Sequence, residues 1–201
     1  MSDELFAGEN LFWGFSAAGK GGIATGWQLK VKDGKPIYST VEDEGVQVFE
    51  MKSYNSSFSV QRKIHVNIGE HPYISWRWKA IELPEGGDFR KSGKDDQAAQ
   101  VFVAFPGRKS ISYIWDTTAP VGSVGAFSIP LVIEVKIIVV TSGGADIGKW
   151  VTVTRNVYED YKRLYGEEPP PAEGIRFQIN SQHTKTAACA RLAWLQFKKA
   201  P

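Results

Sequence analysis

The chain has 201 residues and carries 24 Lys and Arg against 22 Asp and Glu, a formal charge of +2. That near-balance, with the basic residues scattered rather than clustered, argues against a nucleic-acid arm or an electrostatic hold on an anionic membrane. A single cysteine, Cys189, excludes an intramolecular disulfide and the cysteine-based structural zinc sites.

The length suits one large domain or two small ones and can bury a substantial core. Seven Trp, seven Tyr and eleven Phe form an aromatic-rich set that suits both β-sheet packing and stacking on sugars. The start, Met1-Ser2-Asp3-Glu4, lacks the basic-then-apolar pattern of a secretory signal. The expected location is therefore cytoplasmic, or periplasmic or secreted if a signal was removed ahead of residue 1. The longest apolar run, residues 129–140, is interrupted by Pro130, Glu134 and Lys136 and is too short to span a bilayer.

In chain order, residues 1–26 are rich in Gly and aromatics and read as an irregular arm packed on the body, with Phe12, Trp13 and Phe15 able to form a short edge strand. Residues 27–31 alternate, Asp33-Gly34 is a hairpin signal, and residues 37–41 are the expected return strand. An acidic turn at residues 42–45 leads to a strand at 46–51, and a turn at 53–55 to a strand at 57–63. Residues 73–80 alternate most clearly, with Ile74, Trp76, Trp78 and Ala80 on one face and Tyr73, Ser75, Arg77 and Lys79 on the other.

The stretch Asp95-Asp96-Gln97-Ala98-Ala99-Gln100-Val101-Phe102-Val103-Ala104-Phe105 predicts a central strand. Ala99, Val101, Val103 and Phe105 form its core row, and Gln100 is the residue on it most in need of explanation. Residues 110–115 pair with it through the turn at Pro106-Gly107. Residues 117–128 read as a small-residue loop, and strands follow at 133–140 and 150–155, around the turn Ser142-Gly143-Gly144. The convincing helix runs over residues 157–165: Asn156 is the N-cap, Glu159 completes a capping box and Gly166 stops it. Pro169-Pro170-Pro171 is an extended connector before strands at 175–180 and 190–197. About ten strands with one short helix and no βαβ alternation predict an antiparallel β-sandwich of jelly-roll type. With no repeat or linker, residues 1–201 are expected to form one domain.

Several blocks carry a family resemblance. They are Asp95-Asp96-Gln97-Ala98-Ala99-Gln100-Val101, Tyr113-Ile114-Trp115, Ser142-Gly143 with Gly148-Lys149-Trp150, and Arg155-Asn156-Val157-Tyr158-Glu159-Asp160-Tyr161. Tyr165-Gly166-Glu167-Glu168-Pro169-Pro170 and Gly174-Ile175 continue them. Together they resemble the bacterial family of unknown function number 3047 (DUF3047) over roughly residues 75–197. The resemblance implies a β-sandwich of the galactose-binding or carbohydrate-binding-module kind, usually exported, with no established activity. Where the family has an Asp-Thr-Asp-Asn-Thr-like segment, this chain reads Asn180-Ser181-Gln182-His183-Thr184, and Trp194 stands where an acidic residue is expected. Both departures remove carboxylates.

The candidate ligand-binding residues are Tyr73, Arg77, Gln100, Phe102, Tyr113, Arg176, Gln178 and Asn180. Guanidinium, amide and aromatic groups on one sheet face supply donors, acceptors and a platform for sugar C–H faces; the bland counterpart is a solvated outer face. No catalytic residue is assigned. An alternative set, Arg77, Gln100, Tyr113 and His183, has the chemistry of a polysaccharide lyase, in which a cation or amide stabilises an enolate while Tyr or His moves the proton. Asp88, Asp95 and Asp96 offer oxygens for Ca²⁺ but match no fixed calcium loop. Trp115, Trp150 and Trp194 suit either sugar stacking or packing. The leading expectation is a non-catalytic ligand-binding module for carbohydrate. The alternatives are a lyase-like enzyme and an assembly module without a small ligand.

Overall fold

The computed structural model of the protein describes residues 10–15, 22–129 and 132–201. In chain order these form β1 (Leu11–Gly14), β2 (Gln28–Asp33), β3 (Ile37–Asp43), β4 (Val46–Tyr54), β5 (Ser57–Val66), β6 (Tyr73–Glu82), β7 (Ala99–Phe105), β8 (Lys109–Asp116), β9 (Val124–Ile129), β10 (Ile133–Ser142), β11 (Val151–Asn156), α1 (Val157–Tyr165), β12 (Ala172–Asn180) and β13 (Ala187–Lys198). One sheet has six strands in the order β11-β6-β13-β4-β3, with β1 laid against residues 194–197 of β13. The other has seven, in the order β2-β5-β12-β7-β8-β10-β9. The chain is thus an all-β sandwich with one short helix. Its recorded strand pairs are antiparallel except β8 with β10, because the chain leaves β8, descends β9 at the sheet edge and rises again between them.

The core lies between the sheets and is dominated by aromatics. Alternation puts Ile74, Trp76, Trp78 and Ala80 of β6 inward, fully buried. Trp76 meets Tyr113 at 5.3 Å and Trp78 meets Trp115 at 5.9 Å between ring centroids, so β6 of one sheet stands on β8 of the other. Ala99, Val101, Val103 and Phe105 form the inward row of β7, as the pattern predicts. Burial of Val101, Val103 and Phe105 contributes about 1.5–3 kcal/mol each. Helix α1 closes one end of the sandwich: Asn156 Oδ1 accepts from Glu159 N (3.0 Å), Gly166 ends it at φ 72°, and Tyr161 packs on Phe105 at 4.7 Å.

Two expectations are corrected. Asp33-Gly34 makes a turn, with Gly34 at φ +66°, but not a hairpin: β2 pairs with β5 and β3 with β4, in different sheets. The turn between β4 and β5 crosses between sheets in the same way. A tight turn fixes a reversal of the chain and leaves open which sheet the next strand joins. Within residues 117–128, Val124 begins β9, which among the described residues pairs with β10 alone. In the N-terminal arm, residues 1–9 and 16–21 lie outside the described residues; residues 11–14 form the short strand β1, and Trp13, Phe15, Ala24 and Trp27 are buried.

Candidate functional site

Side chains on one sheet face fall into cross-strand rows. On the outer face of the seven-stranded sheet, strand register places Gln61, Arg176, Phe102, Ser112 and Ile137 in one row, and Ser59, Gln178, Gln100 and Ile114 in the next. The core row of β7 makes this arrangement necessary. Because Val101 and Val103 point inward, Gln100 and Phe102 must point out, and antiparallel pairing sets Gln178 and Arg176 directly opposite them.

A cavity of ≈ 330 Å³ lies over these rows. Lys32, Asp95, Gln97, Asn180 and His183 line its polar end, and Phe127, Ile133, Val135 and Ile137 line the side formed by β9 and β10. Phe127 is half exposed. From β12 to β9 the face crosses four strand spacings, roughly 19 Å at about 4.8 Å each. A second hollow of ≈ 510 Å³ lies on the same sheet, over Gln28, Gln61, Lys63, Ala104, Ser110 and Gly174, and shares Phe102 and Arg176 with the first. Gly174 and Ala104 leave it open: a Cβ on Gly174 would touch the Ala104 methyl at 3.4 Å.

The polar end is built by Asn180. Its Nδ2 donates to the Asp95 carbonyl (2.7 Å) and to Asp96 Oδ1 (2.9 Å), while its Oδ1 accepts from Gln97 N (3.1 Å) and Gln100 Nε2 (2.5 Å). All four hydrogen-bonding positions of the amide are used, which fixes the entry to β7 against the end of β12. Asp96 is fully buried and also accepts from Thr184 N at 2.6 Å. Asp95 accepts from Gln97 Nε2 (2.9 Å); its burial pushes its carboxyl above the ordinary value, against the pull of the Gln97 hydrogen bond and of His183.

Other groups at the cavity have unused capacity. Ser112 is 1% exposed, and its Oγ has no hydrogen-bond partner among the described residues. Arg176 holds its guanidinium 5.0 Å from the Phe102 ring centroid. No carboxylate or hydrogen-bond acceptor among the described residues meets it, and burial alone lowers its pKa. Gln178 has no side-chain hydrogen bond among the described residues either.

Five of the eight predicted residues therefore come together: Gln100, Phe102, Arg176, Gln178 and Asn180. Three do not. Tyr73 and Arg77 belong to β6 in the other sheet, where Arg77 lies 5.3 Å from the Trp150 ring centroid and 3.8 Å from Glu44. Tyr113 points into the core because it shares the inward phase of β8 with Ile111 and Trp115; its hydroxyl donates to Asp160 (3.0 Å), and burial drives its pKa well up. The lyase-like set accordingly does not assemble, since only Gln100 and His183 reach the cavity.

The three candidate tryptophans also lie elsewhere. Trp115 is core, Trp150 covers Arg77 and Lys79, and Trp194 packs near Phe12. Asp88, proposed as a calcium ligand, is held by Arg90 (2.8 Å) and Lys91 (3.1 Å), and Arg90 keeps its carboxyl far below the usual range. Among the described residues, no group of three or more His, Cys, Asp or Glu has metal-binding geometry. A further cavity of ≈ 500 Å³, between β10 and β11, contains Asp160, whose charge is met by Arg155 (2.6 Å) and Arg163 (3.1 Å).

Sequence reasoning missed Lys32, Ser112 and Phe127 as parts of the site. Ser112 was findable, because it alternates with the inward Ile111 and Tyr113. Phe127 carries no such signal, because the small residues Gly125, Ala126 and Ser128 around it do not mark a strand.

Among curated proteins the chain has no match. Among solved structures it is similar to the xyloglucanase domain of NopAA, a type three effector from Sinorhizobium fredii, in complex with cellobiose. The two share 12% identity over 86% of this chain and 94% of that one, with a TM-score of 0.54. It is also similar to the family 11 carbohydrate-binding module from Clostridium thermocellum in complex with a β-1,3-1,4-mixed-linked tetrasaccharide (9% identity, 96% of each chain, TM-score 0.47). A third is the K1 cleaved adhesin domain of Lys-gingipain from Porphyromonas gingivalis (11% identity, 96% of this chain and 100% of that one, TM-score 0.48). At these identities the likeness is one of fold. A family model matches residues 25–196, nearly the whole sandwich, and so the chain belongs to the family described as protein of unknown function (DUF3047).

Proposed function

We propose that the protein is a non-catalytic carbohydrate-binding module, and that its site is the outer face of the seven-stranded sheet. The observation that carries this reading is the pair of cross-strand rows at the cavity: Gln178, Ser112 and Arg176 retain unused hydrogen-bonding capacity beside the half-exposed ring of Phe127. Hydroxyls need donors and acceptors in fixed positions, and a pyranose C–H face needs a flat apolar partner. A sandwich of the same architecture, the NopAA domain, was solved with cellobiose, which supports the ligand class at the level of fold. The non-catalytic part rests on the acid count. Glycoside hydrolysis ordinarily uses two flanking carboxylates, and the described lining of the cavity offers one, Asp95.

Glycan arrays followed by calorimetry on soluble polysaccharides, with and without Ca²⁺, test the reading. Phe127→Ala is expected to weaken binding by about five- to tenfold, in line with an aromatic contact of ~1 kcal/mol or slightly more, and to leave the thermal transition unchanged. Silence across broad panels would overturn the proposal, and so would full affinity in the Phe127 variant.

A further inference from the structure

The first cavity and the second hollow share one boundary, the stack of Arg176 on Phe102. A partly buried guanidinium is normally met by a carboxylate or by several carbonyl oxygens, because desolvating a charge without compensation is costly. Elsewhere in this protein that rule holds. Arg155 lies 2.6 Å from Asp160, and Arg191 lies 2.6 Å from Glu50. Arg176 is the exception: among the described residues its one recorded contact is the face of Phe102. That ring holds the guanidinium without neutralising it, so the planar fork of donors stays available to an oxyanion.

A second, independent observation lies in the same row. The Ser112 hydroxyl, 1% exposed, lines the cavity with no partner among the described residues. Two unmet donors separated by one strand, together with the free amide of Gln178 next to Arg176, suit a group with two equivalent acceptor oxygens and flanking hydroxyls. The charges of the described lining leave room for an anion at Arg176: Lys32 and the one lining carboxylate, Asp95, share the polar end, where Asp95 accepts from Gln97.

We infer that the site takes an acidic glycan, and that a sugar carboxylate sits against the Arg176 guanidinium between the two hollows. This rests on the carbohydrate-binding reading and sharpens it. A hexuronate in a polymer and a free carboxylate present the same oxyanion, and the two hollows beyond Arg176 favour the polymer, which would occupy both.

Calorimetry on the full chain with polygalacturonate, alginate and hyaluronan, the same polymers after carboxyl reduction, neutral β-glucan and xyloglucan, and free galacturonate or acetate separates the cases. The expected result is binding of at least one uronate polymer, at least about tenfold weaker binding of its carboxyl-reduced form, and the same loss in Arg176→Gln. Arg176→Gln is expected to fold normally, since no ion pair is broken; coincident thermal transitions check this. Arg176→Lys, which keeps the charge but loses the fork, should fall between the two. Binding of neutral glucans with indifference to uronates would overturn the acidic-ligand inference and leave the carbohydrate reading standing. Binding of free galacturonate or acetate as tightly as any polymer would overturn the glycan assignment. No binding to any member of the panel would overturn both.

Discussion

At the scale of single residues, Asn180 shows how much one buried amide holds together in this chain. Its amide is a two-sided connector, giving protons to Asp96 and to the Asp95 carbonyl and taking them from Gln97 and Gln100. An aspartate there could accept from Gln97 and Gln100 but would set an oxygen 2.9 Å from Asp96 Oδ1. Asn180→Asp should therefore destabilise the fold by at least about 2 kcal/mol at pH 7, since two acceptors lose their donor. For a chain of this size that is a fall in Tm of at least about 4 °C. The introduced carboxyl, facing Asp96, has its pKa raised in the folded state, so its penalty grows as pH rises through the unfolded value and shrinks in acid, where the protonated group can donate again. Thermal melts at pH 7 and pH 4 check this: an equal deficit at both values, or none, would show that Asn180 is not held as described.

At the scale of elements, the loop before β7 is anchored from below by Asp116 at the end of β8. Asp116 is fully buried and accepts from Phe89 N (2.9 Å), Thr118 N (2.9 Å) and Ala119 N (2.7 Å). Phe89 in turn lies over Gly125 of β9, where any Cβ would fall 2.5 Å from its ring. Asp116→Ala should leave three backbone donors unmet and loosen residues 84–94 before the sandwich unfolds. Under native conditions, trypsin is expected to cut after Arg90, Lys91 or Lys94 several-fold faster in the variant, with the remaining fragments still associated. Cleavage rates matching the parent protein would count against this anchoring role.

The same elements show what could be read in advance. Alternation in β6 and β7 assigned faces correctly because each strand buries one side completely, leaving a period of two in the residues. The outward place of Gln100 and Phe102 at the cavity is therefore legible, and antiparallel pairing brings Gln178 and Arg176 to them. Arg77 failed for a different reason. It has the right phase on its own strand, but phase does not say which sheet the strand joins, and β6 lies across the core from β7. Tyr113 fails on phase itself: its phenol has the chemistry of a ligand-binding or proton-handling group, but Ile111 and Trp115, two residues away on either side of the same strand, place it inside. β9 was invisible because Gly125, Ala126 and Ser128 reflect packing under Phe89 and at the sheet edge rather than strand propensity.

At the scale of the whole molecule, the two outer faces are chemically different. Among the described residues, the seven-stranded sheet leaves polar groups unmet, whereas the six-stranded sheet carries a paired ionic network. Lys79 meets Asp43 at 2.8 Å, and Arg191 meets Asp43 at 2.8 Å and Glu50 at 2.6 Å, with Lys52 3.0 Å from Glu50. For both acids burial acts to raise the pKa, but Lys79 and Arg191 around Asp43, and Lys52 and Arg191 around Glu50, outweigh it and leave the folded values lowered. Such groups bind fewer protons folded than unfolded, so their contribution is fully present above the ordinary values of 3.8 and 4.5 and is lost as pH falls through the lowered folded ones. Asp88, lowered chiefly by Arg90, adds in the same direction. Asp95, raised by burial, works the other way and gains stability as pH falls, but it stands alone among these groups. The parent Tm should therefore be level from pH 7 to about pH 5 and fall steadily below about pH 4.5. Arg191→Ala removes the residue shared by both acids. It should start lower at pH 7, because breaking a largely buried pair leaves charge uncompensated, and then lose less on acidification, so the two curves converge near pH 3. Parallel curves across that range would mean that Arg191 supports the sheet by packing of its side chain rather than by holding Asp43 and Glu50 ionised.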